Sequence, residues 1–138
     1  MNPHSTELPW KLTSPTAVAT LLLGAFILYL SVSTVLDPTA AAAGFGVPLS
    51  GTEAVPWLHV KAGRDLGIGL AFAGLVAARQ RRAAGVFVLA SIVMPVVDAL
   101  TAVREGETSL ALALAIHGSA AVYVGILATA LLRPRSAA

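Results

Sequence analysis

The fold is decided by residues 57–78, which read WLHVKAGRDLGIGLAFAGLVAA. A helix needs about 20 apolar residues, at ~1.5 Å of rise each, to cross the hydrocarbon core of a bilayer, and this stretch is long enough. Its first third nevertheless carries the ionisable residues His59, Lys61, Arg64 and Asp65. A charged group at membrane depth costs a few kcal/mol unless it is paired or hydrated, so such residues are candidates for a functional site. The stretch therefore predicts a membrane helix that contributes polar groups to a site.

The composition of the whole chain is typical of a small membrane protein. Of its 138 residues, 57% are hydrophobic and only 12% are charged, which is about half the charged share of a soluble domain. The net charge of +2 is too small to favour nucleic acid as a partner. The absence of cysteine excludes disulfides, a thiolate nucleophile and a cysteine-ligated metal. We expect one domain whose main partner is the lipid bilayer.

Three further apolar runs accompany residues 57–78, and together they predict an all-α polytopic membrane protein. Ser14 and Pro15 form a typical helix start, and Asp37 followed by Pro38 ends the first run. The later runs are joined by short turns, which make their helices antiparallel neighbours. We expect an antiparallel bundle of four transmembrane helices within 15–133, at about 15–36, 56–78, 83–103 and 110–132, between a polar interfacial tail at 1–14 and a cytoplasmic tail at 134–138.

The connections and the basic residues predict the orientation of the bundle. Residues 37–56 are rich in glycine and proline and predict an irregular loop, with Thr52 or Glu53 capping the second helix. A cleaved signal peptide is the alternative for the first run, but the run is longer than a signal core. The basic residues at one end of the bundle are Lys11, Arg79, Arg81, Arg82, Arg133 and Arg135. The positive-inside rule then gives a multi-pass cell-membrane protein with both termini in the cytoplasm.

Ionisable residues of three helices fall at one depth. By the helical rise, Asp98 lies ~8 Å and His117 ~10 Å below the outer ends of the third and fourth helices. Arg64 and Asp65 lie ~11 Å below the outer end of the second helix. Random placement would scatter these groups over many depths. The shared depth predicts a polar centre in the non-cytoplasmic half of the bilayer.

Helical geometry indicates which of these groups can pair. Lys61 and Asp65 lie four residues apart on one face and can form an ion pair. Arg64 points about a quarter turn away from Asp65 and is expected to hold Asp98 through two hydrogen bonds. Pro95, three residues before Asp98, removes a helical hydrogen bond. It is expected to bend the third helix beside a pocket.

Small residues predict the packing faces of two helices. They recur every three or four residues, a spacing that lets helix backbones approach closely in a membrane. The members are Gly63, Gly67, Ala71 and Gly74 on the second helix, and Gly118, Ala121 and Gly125 on the fourth. We expect these faces to serve packing, with room for a ligand as the alternative.

A structural interpretation of the polar residues stands beside the functional one. Arg64, Asp65 and Asp98 could form an ion-pair network that only fixes helix register. His117 could be hydrogen-bonded to a neighbouring helix, and Lys61 could be an interfacial residue whose charge reaches water. The sequence leaves both interpretations open.

No metal and no cofactor are expected. Asp98, His117 and His59 could in principle hold a metal, but they lack the spacing of a recognisable metal site. No phosphate-binding loop or dinucleotide motif is present, and His59 and His117 lie at different depths, which argues against a haem held between them. His59 lies near the outer interface, where water reaches it.

Short motifs on these helices resemble those of a known family. The pattern R-D-x-G-x-G-L in the second helix, P-x-x-D in the third and a histidine in the fourth is similar to small four-helix membrane proteins of bacteria and fungi that are catalogued as a domain of unknown function. The likeness rests on Arg64, Asp65, Gly67, Gly69, Pro95, Asp98 and His117, and covers residues 15–133. It implies the four-helix fold and brings no agreed activity. Looser relatives, the DoxX-like proteins, would imply a link to oxidoreductase complexes, while four-helix membrane isomerases and cyclases would imply sterol or terpenoid substrates.

These observations predict an intramembrane polar pocket that binds a small lipophilic compound. Two carboxylates in unlike surroundings can divide the roles of acid and base, so the pocket could perform cofactor-free isomerisation, cyclisation or epoxide opening. The candidate residues are Asp98, His117 and Asp65 for catalysis, and Arg64, His59 and Lys61 for substrate binding. The alternative is a non-catalytic accessory subunit of a membrane oxidoreductase or transporter complex. A homo-oligomer is compatible with both.

Overall fold

The computed structural model describes residues 10–106 and 108–134, which fold into helices without a strand among them. The prediction of an all-α chain is confirmed, while most of the two predicted tails, residues 1–9 and 135–138, lies outside the described residues. The helices are α1 (Pro15–Leu36), α2 (Pro38–Phe45), α3 (Val55–Ala77), α4 (Arg81–Ser91), α5 (Val93–Glu105), α6 (Leu110–Ala113) and α7 (Ser119–Leu132). A π-helical segment, Leu114–Gly118, joins α6 to α7.

Three helical stretches within the described residues are long and apolar enough to cross a membrane. They are Pro15–Leu36, Arg81–Glu105 and Leu110–Leu132. Helix α3 has 23 residues, but it carries Lys61, Arg64 and Asp65 within its length. The composition of the helices therefore supports three apolar spans and a fourth long helix of mixed character, where the sequence predicts four spans. The chain is a membrane protein.

Residues 37–56 differ from the irregular loop that their glycines and prolines predict. Helix α2 starts directly after α1, because the Asp37 side chain accepts a hydrogen bond from the Ala40 backbone N–H at 2.9 Å and Pro38 occupies the first turn. The alanines that follow favour a helix. Gly46 ends it with a φ of 103°, a left-handed conformation that glycine adopts readily. The pair of residues that ends α1 thus also begins α2.

The start of α3 has a different cap from the one predicted. Pro56 lies in the first turn of α3, as expected for a residue that lacks a backbone N–H. The N-cap position, however, is Ala54, and in the described structure its side chain makes no capping hydrogen bond. The expectation that Thr52 or Glu53 caps this helix is therefore wrong.

The regular helix of the third predicted span is interrupted just before its proline. Pro95 cannot donate a hydrogen bond to the Ser91 carbonyl, and the regular helix is interrupted at Ile92, between α4 and α5. The Val96 N–H still reaches the Ile92 carbonyl, at the long distance of 3.4 Å. The interruption at Ile92 lies a little under two turns before Asp98.

Helices α1 and α3 pack along each other at a close glycine crossing. A Cβ atom on Gly24 would lie 3.2 Å from the Gly69 carbonyl oxygen, and one on Gly69 would lie 2.6 Å from Cγ of Leu28. Nearer the outer end, the Ser31 hydroxyl donates to the Ala62 carbonyl oxygen of α3 at 2.8 Å. This pair of helices forms one wall of the molecule.

The glycines predicted to pack α3 are not the ones that do so. Gly63 and Gly67 are exposed, and among the described residues no atom lies within 4 Å of where their Cβ atoms would stand. The buried face of α3 instead passes through Ala62, Gly69 and Phe72. The small-residue pattern therefore identifies the right helix and the wrong face.

A second pair is formed by α4 and α7, and an apolar core joins the two pairs at one end of the bundle. There the rings of Phe72 in α3 and Phe87 in α4 meet with centroids 5.0 Å apart. The fully buried core residues are Trp10, Ala17, Phe72, Val76, Ala84, Val88, Val124, Leu127, Ala128 and Leu131. They lie at the end where α3 passes into α4. The opposite end, which carries α2, is less tightly filled.

The glycine crossing can be tested with two matched substitutions in α3. Gly69→Ala should lower the free energy of unfolding by about 1–3 kcal/mol, because the added methyl group overpacks against Leu28 and the Gly24 backbone. Gly67→Ala should be neutral or stabilise by up to ~1 kcal/mol, since it fills open space and favours the helix. Denaturant titration followed by circular dichroism measures both. The reverse order would show that Gly67 lies on the packing face.

Candidate functional site

A cavity of about 560 Å³ lies between the two helix pairs, beyond the apolar core. Residues of α1, α3, α4, α5, the π-helical segment and α7 all contribute to its wall. Most of the wall is apolar, with side chains such as Leu30, Met94 and Val124. The cavity therefore lies at the end of the bundle opposite the Phe72–Phe87 contact.

The cavity opens sideways, between α1 and α7. Leu22 and Phe26 of α1 line it and are also 62% and 53% exposed on the outer surface. Across the opening, Tyr123 of α7 also lines the cavity and is exposed, and its hydroxyl donates to the Ala19 carbonyl oxygen of α1 at 2.8 Å. Both helices belong to apolar spans. The opening therefore lies between two of the apolar spans.

Two oppositely charged residues of α3 meet at the cavity wall. The Lys61 ammonium group donates to the Asp65 carboxylate at 2.5 Å, the pairing that their four-residue spacing predicts. Their side chains are 30% and 13% exposed, so the pair is largely shielded from the surroundings. Both side chains line the cavity, and together they contribute no net charge to its wall.

Asp98 lines the same cavity from α5. It lies within electrostatic range of Lys61 and Asp65 on α3 and of His117 on the π-helical segment. Among residues 10–106 and 108–134, no hydrogen bond or ion pair is formed by its carboxylate. The structure thus brings Asp65 and Asp98, two of the groups predicted to share a depth, to one cavity, and leaves Asp98 without a direct partner in the described chain.

Arg64 and His59 do not line the cavity. Both are exposed on α3, and within the described residues Arg64 makes no ion pair with Asp98. The cavity side of α3 is the one that carries Lys61 and Asp65, and Arg64, about a quarter turn from Asp65, lies outside it. The expected contact of Arg64 with Asp98 is therefore not formed in the described structure. Helical geometry gives the angle between Arg64 and Asp65, but it does not give the direction of Arg64 relative to the neighbouring helices.

His117 is buried, and it holds α2 instead of lining the cavity. Its Nε2 atom lies 3.0 Å from the Phe45 carbonyl oxygen, which accepts from it, and its ring packs against the Phe45 ring with centroids 4.8 Å apart. Next to it, the Thr108 hydroxyl donates to the Gly46 carbonyl oxygen at 2.9 Å. The last carbonyls of α2 are thus tied to the rest of the molecule. Of the two interpretations of His117, the structure has the hydrogen bond to a neighbouring helix.

The family of the chain follows from its sequence profile. The profile described as "Domain of unknown function (DUF4267)" matches residues 24–133. The chain belongs to this family. The matched segment contains Asp98, the Lys61–Asp65 pair and His117, and it excludes only the first turns of α1 and the tails. No curated protein and no solved structure matches the chain. The looser likeness to DoxX-like proteins finds no support in these comparisons.

Several polar residues around the cavity of this DUF4267 chain were not singled out from the sequence. Ser91 lies two turns before Asp98 on the bent span, and Ser119 and Tyr123 lie one turn apart on α7. The two residues of each pair, Ser91 with Asp98 and Ser119 with Tyr123, are separated by whole helical turns and therefore share the face that lines the cavity. The spacing from Asp98 could have identified Ser91, whereas nothing in the sequence shows which face of α7 meets the cavity.

The described part of this DUF4267 chain has no cluster of metal-ligating side chains. Among the described residues, no group of three or more histidine, aspartate or glutamate side chains could hold a metal ion. The titratable groups that do meet at the cavity are Lys61, Asp65, Asp98 and the Tyr123 hydroxyl. The arrangement therefore offers ion pairing, hydrogen bonding and proton exchange.

The role of His117 can be tested by following α2. His117→Ala should raise amide hydrogen exchange in residues 40–47 by about tenfold, because it removes one of the hydrogen bonds that hold the end of α2. Thr108→Ala should act on the same residues. Thr129→Ala is the control, since the Thr129 hydroxyl donates within α7, to the Gly125 carbonyl. Unchanged exchange in residues 40–47 of the His117 variant would contradict the assignment.

Proposed function

We propose that this protein binds a small lipophilic compound in the cavity between its helix pairs. The observation that carries the proposal is a cavity of about 560 Å³ with a mostly apolar wall and a few charged side chains at one place. Ligand sites in proteins are typically ~300–1,000 Å³ in volume and have this composition, in which apolar walls provide affinity and a few polar groups provide orientation. The sideways opening gives a route for a compound dissolved in the bilayer.

We further propose that α3 completes a bundle of four transmembrane helices. Lys61 and Asp65 face the cavity and neutralise each other, which lowers the cost of placing α3 in a membrane. Arg64 faces outward, where its long side chain can reach toward the interface. The arginines at the turn between α3 and α4 and after α7 favour the cytoplasmic side for that end. Both termini would then be cytoplasmic, with the cavity in the other half of the bilayer.

The chemistry proposed for this cavity is proton exchange with the bound compound. Asp98 is the candidate acid or base, because its carboxylate faces the cavity and has no direct partner among the described residues. Asp65 is the second carboxylate, held in place by Lys61. His117 and Arg64 do not line the cavity and would act on Asp98 only through their charge. Isomerisation, cyclisation or epoxide opening would need no more than these groups and a suitable substrate.

Filling the cavity tests whether it binds a ligand. A small neutral diazirine that labels on irradiation should react saturably with the peptides that carry Met94 and Ser119, and an excess of its unreactive analogue should suppress this labelling. Ala120→Phe places a large side chain in the cavity and should abolish the saturable part. Val122→Phe, on the outer surface of the same helix, should leave it intact. Labelling that never saturates in the wild type would show that only lipid enters the cavity.

The thermal stability of two aspartate variants separates a binding site from a scaffold. Asp98→Asn should melt at or above the wild-type temperature, because it removes a carboxylate that has no direct partner in the described chain. Asp65→Asn should lose about 1.5–3 kcal/mol of stability, since it removes the partner of Lys61. Melting in detergent measures both. A clear loss for Asp98→Asn would make this residue part of the scaffold and would favour a non-catalytic accessory subunit.

A further inference from the structure

The polar side chains of the cavity can be divided by what each of them already contacts. They are Lys61, Asp65, Ser91, Asp98, Ser119 and Tyr123. The three hydroxyl groups all donate to backbone carbonyl oxygens, those of Val88, of Ala115 and Ile116, and of Ala19. Lys61 and Asp65 donate to and accept from each other. Asp98 alone has no such contact within residues 10–106 and 108–134.

The same comparison shows which of the charged side chains at the cavity are paired with each other. One lysine and two aspartates line it, and since Lys61 is paired with Asp65, Asp98 has no ion-pair partner of its own among the described residues. The other cationic groups nearby are placed elsewhere. Arg64 lies on the outer face of α3, and His117 donates to the Phe45 carbonyl oxygen. Neither lines the space into which Asp98 faces.

A carboxylate in such a place needs a partner. Low-polarity surroundings make an isolated charge costly, and buried charges in proteins are normally paired. The chain itself supplies no direct partner to Asp98 among its described residues, and the open volume beside it is bounded by apolar side chains such as Phe26 and Leu30. The carboxylate that lacks a direct partner therefore lies at the edge of an open volume that a ligand can occupy.

We infer that the compound bound in this cavity is a lipophilic amine, whose protonated nitrogen pairs with Asp98 while its apolar part fills the space toward α1 and α7. This inference rests on the proposed function and names the class of ligand. The amine enters from the bilayer through the opening beside Leu22 and Phe26. Its cation completes the charge balance of the cavity and accounts for a carboxylate that the fold itself does not use.

The test compares two probes of equal shape. One is a dimethylamine with a phenylbutyl chain, and the other is the hydrocarbon in which a CH group replaces the nitrogen atom. Binding is measured by calorimetric titration at neutral pH into nanodiscs of phosphatidylcholine, a lipid without net charge that does not attract the cation. The heat measured with protein-free nanodiscs is subtracted, which removes the binding of each probe to the bilayer itself. The variants are Asp98→Asn and, as a control, Glu53→Gln, which changes an exposed carboxylate outside the cavity.

The amine should bind the wild type at least tenfold more tightly than the hydrocarbon does, because a charge-assisted hydrogen bond forms only with the amine. Asp98→Asn should remove most of that difference, and Glu53→Gln should retain it. Equal affinities for the two probes, or a difference that survives in Asp98→Asn, would overturn the inference and leave lipophile binding in place. Saturable binding of neither probe would count against the proposed function as well. Since the probe pair is compared in the wild type first, the test does not depend on the variant folding.

Discussion

The structure depends on how α3 accommodates charge in a long and mostly apolar helix. Lys61 and Asp65 face each other along one side of α3, at 2.5 Å, so the helix carries a neutral pair where two separate charges would each be costly. The opposite requirement comes from α1, which needs the glycine surface of α3 at Gly69 for close packing. These two contacts fix the rotation of α3. They turn Arg64 outward and Gly63 away from the neighbouring helices.

The same rotation separates a filled end of the bundle from an open end. Toward α4, large side chains such as Phe72 and Phe87 fill the space between the helix pairs. Toward α2, the lining of α3 changes to the charged pair, and the regular helix is interrupted between α4 and α5, before Pro95. A charged wall cannot be packed against apolar side chains without loss of stability, so this end is not filled in the same way. The cavity is thus a consequence of where α3 carries its charges.

The sequence predicts where the helices of this fold begin and end better than it predicts which helices pack side by side. Ser14 caps α1 and the third span is interrupted just before Pro95, because caps and prolines act locally. Helix α2 is missed because Asp37 and Pro38 end one helix and begin the next with the same local chemistry. The common depth of Asp65 and Asp98 follows from helical rise alone, whereas the outward position of Arg64 depends on which helices lie beside α3. That information is tertiary, and a single sequence does not contain it.

The position of Asp98 is more informative than its contacts. A carboxylate that stabilised the fold would be held by donors, as Asp65 is held by Lys61 and as Asp37 is held by the backbone of α2. Asp98 lies within electrostatic range of Lys61 and Asp65, and within the described residues it forms neither kind of contact. Removing a charge without a direct partner should cost the fold little, and keeping it costs solvation energy. Under the proposed function, the cavity beside Asp98 is the place where a bound molecule would pair with this carboxylate.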